Sequence, residues 1–515
     1  METNIGQFLA KRAYLNPNME AVVDTATGQR FTFAEVDARA NRLANAMTAR
    51  GVKAGDRVGV LMMNGEEFLE SFFGLAKIGA VVVPLNWRLV ADELAYILSD
   101  SGSSVLLYST EFAGLVADIH GRGAEGSGVG VWVEHGPAEE RQVFAEAYEV
   151  VLEAASPEAP AIGARDDDLL FIMYTSGTTG LPKGVMHSHD SVFWALTTIA
   201  ITADSRFGDR YIIALPMFHV GALTPVLSNV MIGTTSILMR QFDPSAMWRL
   251  IEEEKVTTTL AVPAMLNFML QVPAAKEHDY STLRWIMSGA SPVPAALIET
   301  YKNLGIEIHQ VYGLTECGGP GCLISPEDAM SHIGSTGKAF FHNEVRVVDE
   351  KGADVAPGVP GEVIIRGRQN MKGYWNKPEA TAETLRDGWL HTGDIALVDE
   401  EGFITIHDRL KDMVISGGEN VYPAEIENVV MQHPQVAEVA VIGIPSARWG
   451  ESPFCVVVRK DESLSEADVL QFCDGRLAAY KQPKGAAFIE EIPRNPTGKP
   501  LKRLLRDRFP GPAPE

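Results

Sequence analysis

Apolar positions in the first part of the chain alternate between two periods. RFTFAEVDARANRLANAMTARG repeats its apolar residues every three or four positions, which predicts an amphipathic helix stopped at Gly51. DRVGVLMMN is a nearly continuous apolar run and predicts a buried strand. GEEFLESFFGLAKIG, AVVVPLN, ELAYILSDSG and SVLLYS then predict helix, strand, helix and strand. Such alternation predicts a largely parallel sheet covered by helices. At the amino terminus, Ile5, Phe8, Leu9 and Arg12 have the spacing of one more amphipathic helix. Residues 118–166, rich in Gly, Ala and Glu with weak periodicity, read as a variable surface connection. The alternation resumes from DLLFIMYT to about Tyr312.

The texture changes at His332. NEVRVVDE, GEVIIRG, WLHTGD and GFITIHDR are short alternating strands between Gly and Asp turns, which predict a β-rich subdomain, a small barrel. After DRLKD the pattern becomes helix (AEIENVVMQHP), strand (AEVAVIGIP), strand (PFCVVVRK), helix (EADVLQFCDGRLAAY) and strand (GAAFIEEIP). That length suits a compact α+β domain. The expected fold class is therefore α/β. A large amino-terminal domain of helix-covered sheets, 1–410, includes the small β-barrel subdomain at 332–410, and a small α+β carboxy-terminal domain spans 411–515. The boundary falls near Lys411.

Composition narrows this picture without changing it. A chain of 515 residues is too long for one core. Its 44 Lys+Arg against 67 Asp+Glu give a formal net charge of −23, which argues against non-specific nucleic-acid binding. Cys317, Cys322, Cys455 and Cys473 form no CxxC pair and no zinc spacing, so buried thiols in a reducing cytoplasm are expected. The amino terminus lacks the apolar core of a secretory signal. FFGLAKIGAVVVPL is interrupted by Lys77 and falls short of the roughly 20 apolar residues a spanning helix needs. A soluble protein is expected.

Candidate chemistry begins at YTSGTTGLPKG, Tyr174–Gly184. The loop leaves an apolar strand. Gly177, Gly180 and Gly184 permit close approach of a ligand, and Thr175, Ser176, Thr178 and Thr179 supply hydroxyls. It differs from the nucleotide P-loop because Pro182 intervenes and Gly184 follows Lys183, after which VMHSH looks extended. On its own the stretch is either an anion nest or simply a flexible loop. Further along the chain come YGLTE (Tyr312–Glu316), TGD (Thr392–Asp394), DRLKDMVISGGENVYPAEIE (Asp408–Glu427) and PRNPTGK (Pro493–Lys499), in that order.

These five ordered motifs closely resemble the adenylate-forming superfamily of acyl-CoA synthetases, luciferases and peptide-synthetase adenylation domains. LPMFHVGALT, QFDPSAMW, AVPAMLNFM and SGGENVYPAEIE resemble actinobacterial fatty-acyl-CoA synthetases most. The resemblance implies that Thr175, Ser176, Gly177, Thr178, Thr179, Gly180 and Lys183 clasp the phosphates of ATP. Gly289 and Ala290 would lie against adenine, and Tyr312, Gly313 and Thr315 would border the nucleotide. Glu316 would help hold Mg2+, Asp394 would accept from the ribose hydroxyls, and Arg409 would reach ribose or phosphate. Lys499 would bridge the substrate carboxylate and the α-phosphate, with His219 and Thr175 completing the catalytic set. Lys411 would be the hinge of a mobile carboxy-terminal domain. Ser416, Gly417 and Gly418 would line the path of CoA, and Trp449 of the WGE element would touch it. An acid often found three residues before that Trp is Ser446 here.

The implied reaction joins a carboxylic acid to CoA through an acyl-adenylate, with ATP, Mg2+ and CoA as the small-molecule partners. MFHV stands where an amino-acid-activating domain usually carries an Asp, and the chain ends sixteen residues after Lys499 without space for a carrier domain. A medium- or long-chain fatty acid is favoured. An aryl or hydroxycinnamoyl acid, or delivery of the adenylate to a separate carrier protein, is the alternative. Candidate pocket residues are Trp194, Met217, Phe218, Val220, Met231 and the Met265–Met269 helix, each equally readable as plain core. Arg206, Arg210 and Arg240 suggest a basic rim for a lipid headgroup, so a weak peripheral contact with a membrane is left open. The quaternary state stays open between a homodimer and a monomer.

Overall fold

The computed structural model describes residues 2–137, 140–175, 181–290, 293–409, 412–416, 419–446, 449–474, 476–477, 481–494 and 500–511. The apolar runs of the first part become the interiors of two large sheets. In one, of eight strands among the described residues, Leu169–Thr175, Val81–Pro84, Arg57–Leu61, Ser103–Ser109, Val131–His135 and Glu146–Ala147 lie parallel in that order. Lys183–Ser188 and Gly373–Tyr374 extend it antiparallel. The last two parallel strands come from 118–166, which is thus no mere surface connection. Trp132, Val133 and Tyr148 are buried there. The strand Val131–His135 carries the buried Glu134, which breaks its apolar run.

The other large sheet has nine strands among the described residues. Its central run is parallel: Glu307–Tyr312, Trp285–Ser288, Thr258–Leu260, Arg210–Ile213, Thr235–Leu238 and Glu20–Asp24. Helices pack between and around the two sheets. Phe33–Ala49 is started by a Thr32–Glu35 capping box, and Glu66–Ile78 ends at Gly79 in the left-handed conformation. Every residue of Glu66–Ile78 is buried, so this helix is a spine between layers rather than a surface element.

The β-rich stretch forms an antiparallel sheet from Glu344–Val348, Gly361–Arg366, Trp389–Val398, Leu385–Arg386 and Ile404–Arg409. Val347, Val363, Ile365, Leu390 and Ile404 fill its inner face. Beyond it, Val414–Ser416, Glu419–Val421, Val436–Ser446, Gly450–Arg459 and Ala486–Phe488 form a further sheet. With the helices Pro423–Val430 and Glu466–Cys473 it encloses its own core, including Val414, Ile426, Val441, Cys455 and Val469. The four cysteines are free and buried, as expected. No helix among the described residues is long and apolar enough to cross a membrane.

Candidate active site

A mainly apolar cleft opens where the parallel strands of the nine-stranded sheet end, the position at which open α/β sheets bind ligands. Trp285–Ser288 runs into Gly289 and Ala290, and its neighbour Glu307–Tyr312 runs into Gly313, so two strand ends form one wall. Glycine is required at both. A Cβ on Gly289 would stand 2.2 Å from the carbonyl oxygen of Val311, and one on Gly313 only 1.5 Å from that of Gly319. Ala290 itself holds φ at +68°, a strained value for a residue with a side chain.

Two carboxylates approach this wall from other elements. Asp394, on Trp389–Val398, is buried, and the Tyr312 hydroxyl donates to its Oδ2 at 2.7 Å. Burial and the nearby carboxylate push the Tyr312 phenol well above its usual value, so it stays a donor. Asp394 is also the register partner of Arg409 across the sheet. Glu316 sits on the short 3-10 turn Thr315–Cys317, and the Tyr374 hydroxyl donates to its Oε1 at 2.8 Å. The Tyr374 phenol is likewise raised by burial and by Glu316. The ammonium of Lys183 stands 5.0 Å from the centre of the Tyr374 ring, a cation–π distance. Lys183, Tyr374 and Glu316 thus form one connected group.

His187 anchors that turn from behind. It is fully buried, and its Nε2 lies 2.8 Å from the Thr315 carbonyl oxygen. A carbonyl can only accept, so Nε2 carries the proton. Burial pushes the His187 pKa down to about 4, which keeps the ring neutral. His219 is built similarly. It caps the helix Val220–Ile232, its Nδ1 accepts the Gly221 amide at 3.0 Å, and burial lowers it to about 4. The neutral ring therefore holds its proton on Nε2, and the residue lines the cleft.

Thr175 closes the strand Leu169–Thr175 opposite Lys183, the two ends of the glycine-rich loop being register partners. Ser176, Gly177, Thr178, Thr179 and Gly180 lie outside the described residues, as do Lys411, Gly417, Gly418 and Lys499. Ser416 is buried and pairs with Gly450, which brings the SGGEN and WGE stretches together, and Trp449 is 41% exposed.

The cleft's apolar part differs from expectation. Of the candidates, Val220 lines it. Met217 and Met231 pack into the core between the sheets, Phe218 packs edge-on against Trp87, and Met265 and Met269 pack against the helix side of the nine-stranded sheet. Trp194 faces His342 and Arg368 instead. The lining comes from Tyr211, Leu260, Val262, Trp285, Met287 and Phe340. The suggested basic rim also dissolves. Arg206 pairs with Asp204, Arg210 with Glu20 and Glu254, and Arg240 with Glu67 and Glu111. Tyr374 and His187 escaped the motif reading because neither lies in a glycine-rich or charged signature, although alternation along VMHSH places His187 on an inner face.

Comparison with known proteins bears on what such a cleft serves. A family model described as AMP-binding enzyme matches residues 9–375, and the AMP-binding enzyme C-terminal domain matches residues 425–499. The chain belongs to the AMP-binding enzyme family. This AMP-binding enzyme is 46% identical over 512 residues to the long-chain-fatty-acid–CoA ligase FadD13 of Mycobacterium tuberculosis, covering 99% of this chain and 100% of that one. It is 41% identical over 508 residues to a feruloyl-CoA synthase of Amycolatopsis, covering 98% and 99%. Among solved structures it superposes on the o-succinylbenzoate CoA synthetase of Bacillus subtilis, in complex with its acyl-adenylate intermediate, with a TM-score of 0.86 at 32% identity. That match covers 98% of this chain and 99% of that one.

The side chains of this AMP-binding enzyme suit a magnesium nucleotide. Gly289 and Gly313 let the two strand ends lie tightly against neighbouring backbone carbonyls, which a Cβ at either would strike. Asp394 is an acceptor of the kind a sugar's hydroxyls can use, and Glu316 is a hard oxygen ligand of the kind Mg2+ takes.

Proposed function

We propose that this AMP-binding enzyme is an ATP-dependent acid–thiol ligase that joins a medium- or long-chain fatty acid to CoA through an acyl-adenylate, releasing AMP and pyrophosphate. The observation that carries the reading is the end-to-end relation to a long-chain-fatty-acid–CoA ligase, 46% identical over 99% of this chain. The mainly apolar cleft ending at Gly289 and Gly313 supports it.

In the first half-reaction a carboxylate oxygen attacks the α-phosphorus, a P–O bond to the acyl group forms, and pyrophosphate leaves. Thr175, Ser176, Gly177, Thr178, Thr179, Gly180 and Lys183 would hold the phosphates, Gly289, Ala290 and Gly313 the base, and Asp394 with Arg409 the ribose. Glu316 would be the protein ligand of Mg2+, which supplies charge neutralisation at the phosphates. His219, neutral with its proton on Nε2, would donate to the acid's carboxyl group. Lys499 would stabilise the charge that builds on the α-phosphate. Lys499→Ala should then slow carboxylate-dependent pyrophosphate exchange by about 10²-fold, comparable to losing one preorganised donor; exchange at the wild-type rate would remove Lys499 from the step.

In the second half-reaction the CoA thiolate attacks the acyl carbon and AMP departs, taking the electrons of the broken C–O bond. The carboxy-terminal domain, 411–515, would swing about Lys411 to bring Ser416, Gly417, Gly418 and Trp449 to the CoA path. Such a ligase would work in the cytoplasm on soluble or membrane-derived acids, as a monomer or dimer.

A second reading, an aryl or hydroxycinnamoyl-CoA ligase, is favoured by the feruloyl-CoA synthase relative and by Tyr211, Trp285 and Phe340 in the cleft. AMP release measured with and without CoA on octanoate, palmitate, benzoate and ferulate separates the two. Turnover confined to ferulate and benzoate overturns the fatty-acid reading. Adenylation without CoA-dependent AMP release would instead point to a carrier protein as acceptor.

A further inference from the structure

Away from the cleft, three carboxylates meet where the two large sheets join. Asp24 ends the strand Glu20–Asp24, and Glu66 and Glu67 open the helix Glu66–Ile78. They are 2%, 7% and 1% exposed, and one oxygen from each lies within 4.8 Å of the others. Oδ1 of Asp24 is occupied by the amides of Ala26 and Thr27 at 2.8 and 3.0 Å. Oε2 of Glu66 is buried with no hydrogen-bond partner. The surrounding elements supply little positive charge. Arg240 Nη1 lies 3.4 Å from Glu67 Oε1, but the same guanidinium also serves Glu111. His135 Nδ1 stands 3.9 Å from Glu67, and burial pushes that ring below its usual value, towards the neutral form. Three buried carboxylates therefore share half of one arginine.

The geometry points to a binding site for one hard divalent cation, of the size of Ca2+ or Mn2+, held by Asp24, Glu66 and Glu67. An unpaired buried carboxylate is costly, and such groups are found paired or on a metal. An all-oxygen donor set selects Ca2+, Mg2+ or Mn2+ over zinc. Oxygens bound to one Ca2+ ion are at most about 4.6–5.2 Å apart, given its 2.3–2.6 Å bonds, and one oxygen from each of the three carboxylates lies within 4.8 Å of the others.

The cation would pin the two sheets together. Asp24 belongs to the nine-stranded sheet, whereas Glu66 and Glu67 follow a strand of the eight-stranded one. Asn64, two residues before Glu66, already bridges that seam. Its amide donates to the carbonyls of Leu215 and Met239 at 2.8 and 3.0 Å, and Leu215 lines the cleft. The ion is thus structural, and separate from the magnesium proposed at Glu316.

The test uses full-length enzyme stripped with chelator and free of nucleotide, titrated with CaCl2 by calorimetry. One equivalent should bind to the wild type and to Glu316→Gln, and affinity should fall by about tenfold or more in Glu66→Gln and Asp24→Asn. A wild-type crystal soaked in MnCl2 should show an anomalous peak between the three carboxylates, which decides the matter even if those variants do not fold. No Ca2+ binding by the wild type, binding untouched by Glu66→Gln, or Mn2+ found only elsewhere overturns the proposal.

Discussion

The Tyr374 hydroxyl stands 2.8 Å from Glu316 Oε1 while the Tyr374 ring carries Lys183. One side chain therefore orients both the proposed metal ligand and a proposed phosphate ligand. Tyr374→Phe keeps the ring and removes the bond to the carboxylate, a loss of about 1 kcal/mol in positioning. The apparent KM for magnesium ATP should rise about fivefold, with the KM for the acid unchanged. Steady-state kinetics at varied Mg2+ read this directly, and an unaltered Mg2+ dependence would separate Tyr374 from the metal site. A second expectation concerns pH. His187 and His189 are fully buried and lowered by that burial from 6.5 to about 4. The unfolded chain then binds more protons than the folded one between those values. Stability is intact above pH 6.5 and falls as pH drops towards 4, by about 1 kcal/mol for each ring at pH 5.5. Urea midpoints at pH 7.5 and 5.5 should drop less in His187→Gln than in the wild type; an equal drop would refute the assignment.

At the scale of elements, the wall of the cleft depends on two strand ends lying against a returning loop. A methyl on Gly313 would fall 1.5 Å from the Gly319 carbonyl oxygen, and this is backbone rather than a yielding side chain. Gly313→Ala should therefore cost about 1–3 kcal/mol of stability, as overpacking does, and weaken ATP as the loop shifts. A wild-type thermal midpoint would show that the loop adapts. How much was legible follows from the same elements. The parallel strands were readable because both of their faces are covered, so they appear as unbroken apolar runs such as DRVGVLMMN. Gly289 and Gly313, which line the cleft, and the candidates Glu316 and Asp394 could be singled out because their motifs are local, each within a few residues of a strand end. The apolar lining was not. Tyr211, Leu260, Trp285 and Phe340 come from separate elements and meet only in the folded chain. Met265 and Met269 look equally suitable in the sequence, yet their helix turns them towards the core. Nor does any spacing join Asp24 to Glu66 or Lys183 to Tyr374.

For the molecule as a whole, the two half-reactions make opposite demands on one cleft. The adenylation step wants the acyl carbonyl enclosed, and the thiol step wants it reachable from outside. The described carboxy-terminal residues enclose a core of their own around Val414, Ile426 and Val441. A body of that kind can turn as a unit, provided the link to Asp408–Arg409 absorbs the rotation. The link RLKD carries no apolar side chain after Leu410 before Met413 to tie it down. Proline at 411 fixes φ near −65°, removes an amide, and confines Leu410 to extended conformations. Lys411→Pro should therefore trap one orientation. We expect acid-dependent pyrophosphate exchange within about twofold of wild type and CoA-dependent AMP release lower by about 10²-fold, the scale at which misplacement costs rate. Measuring both on the same preparation makes the outcome unambiguous, because a folding defect would lower the two together. Equal loss in both half-reactions, with the thermal midpoint of the wild type retained, would remove rotation about residue 411 from the mechanism.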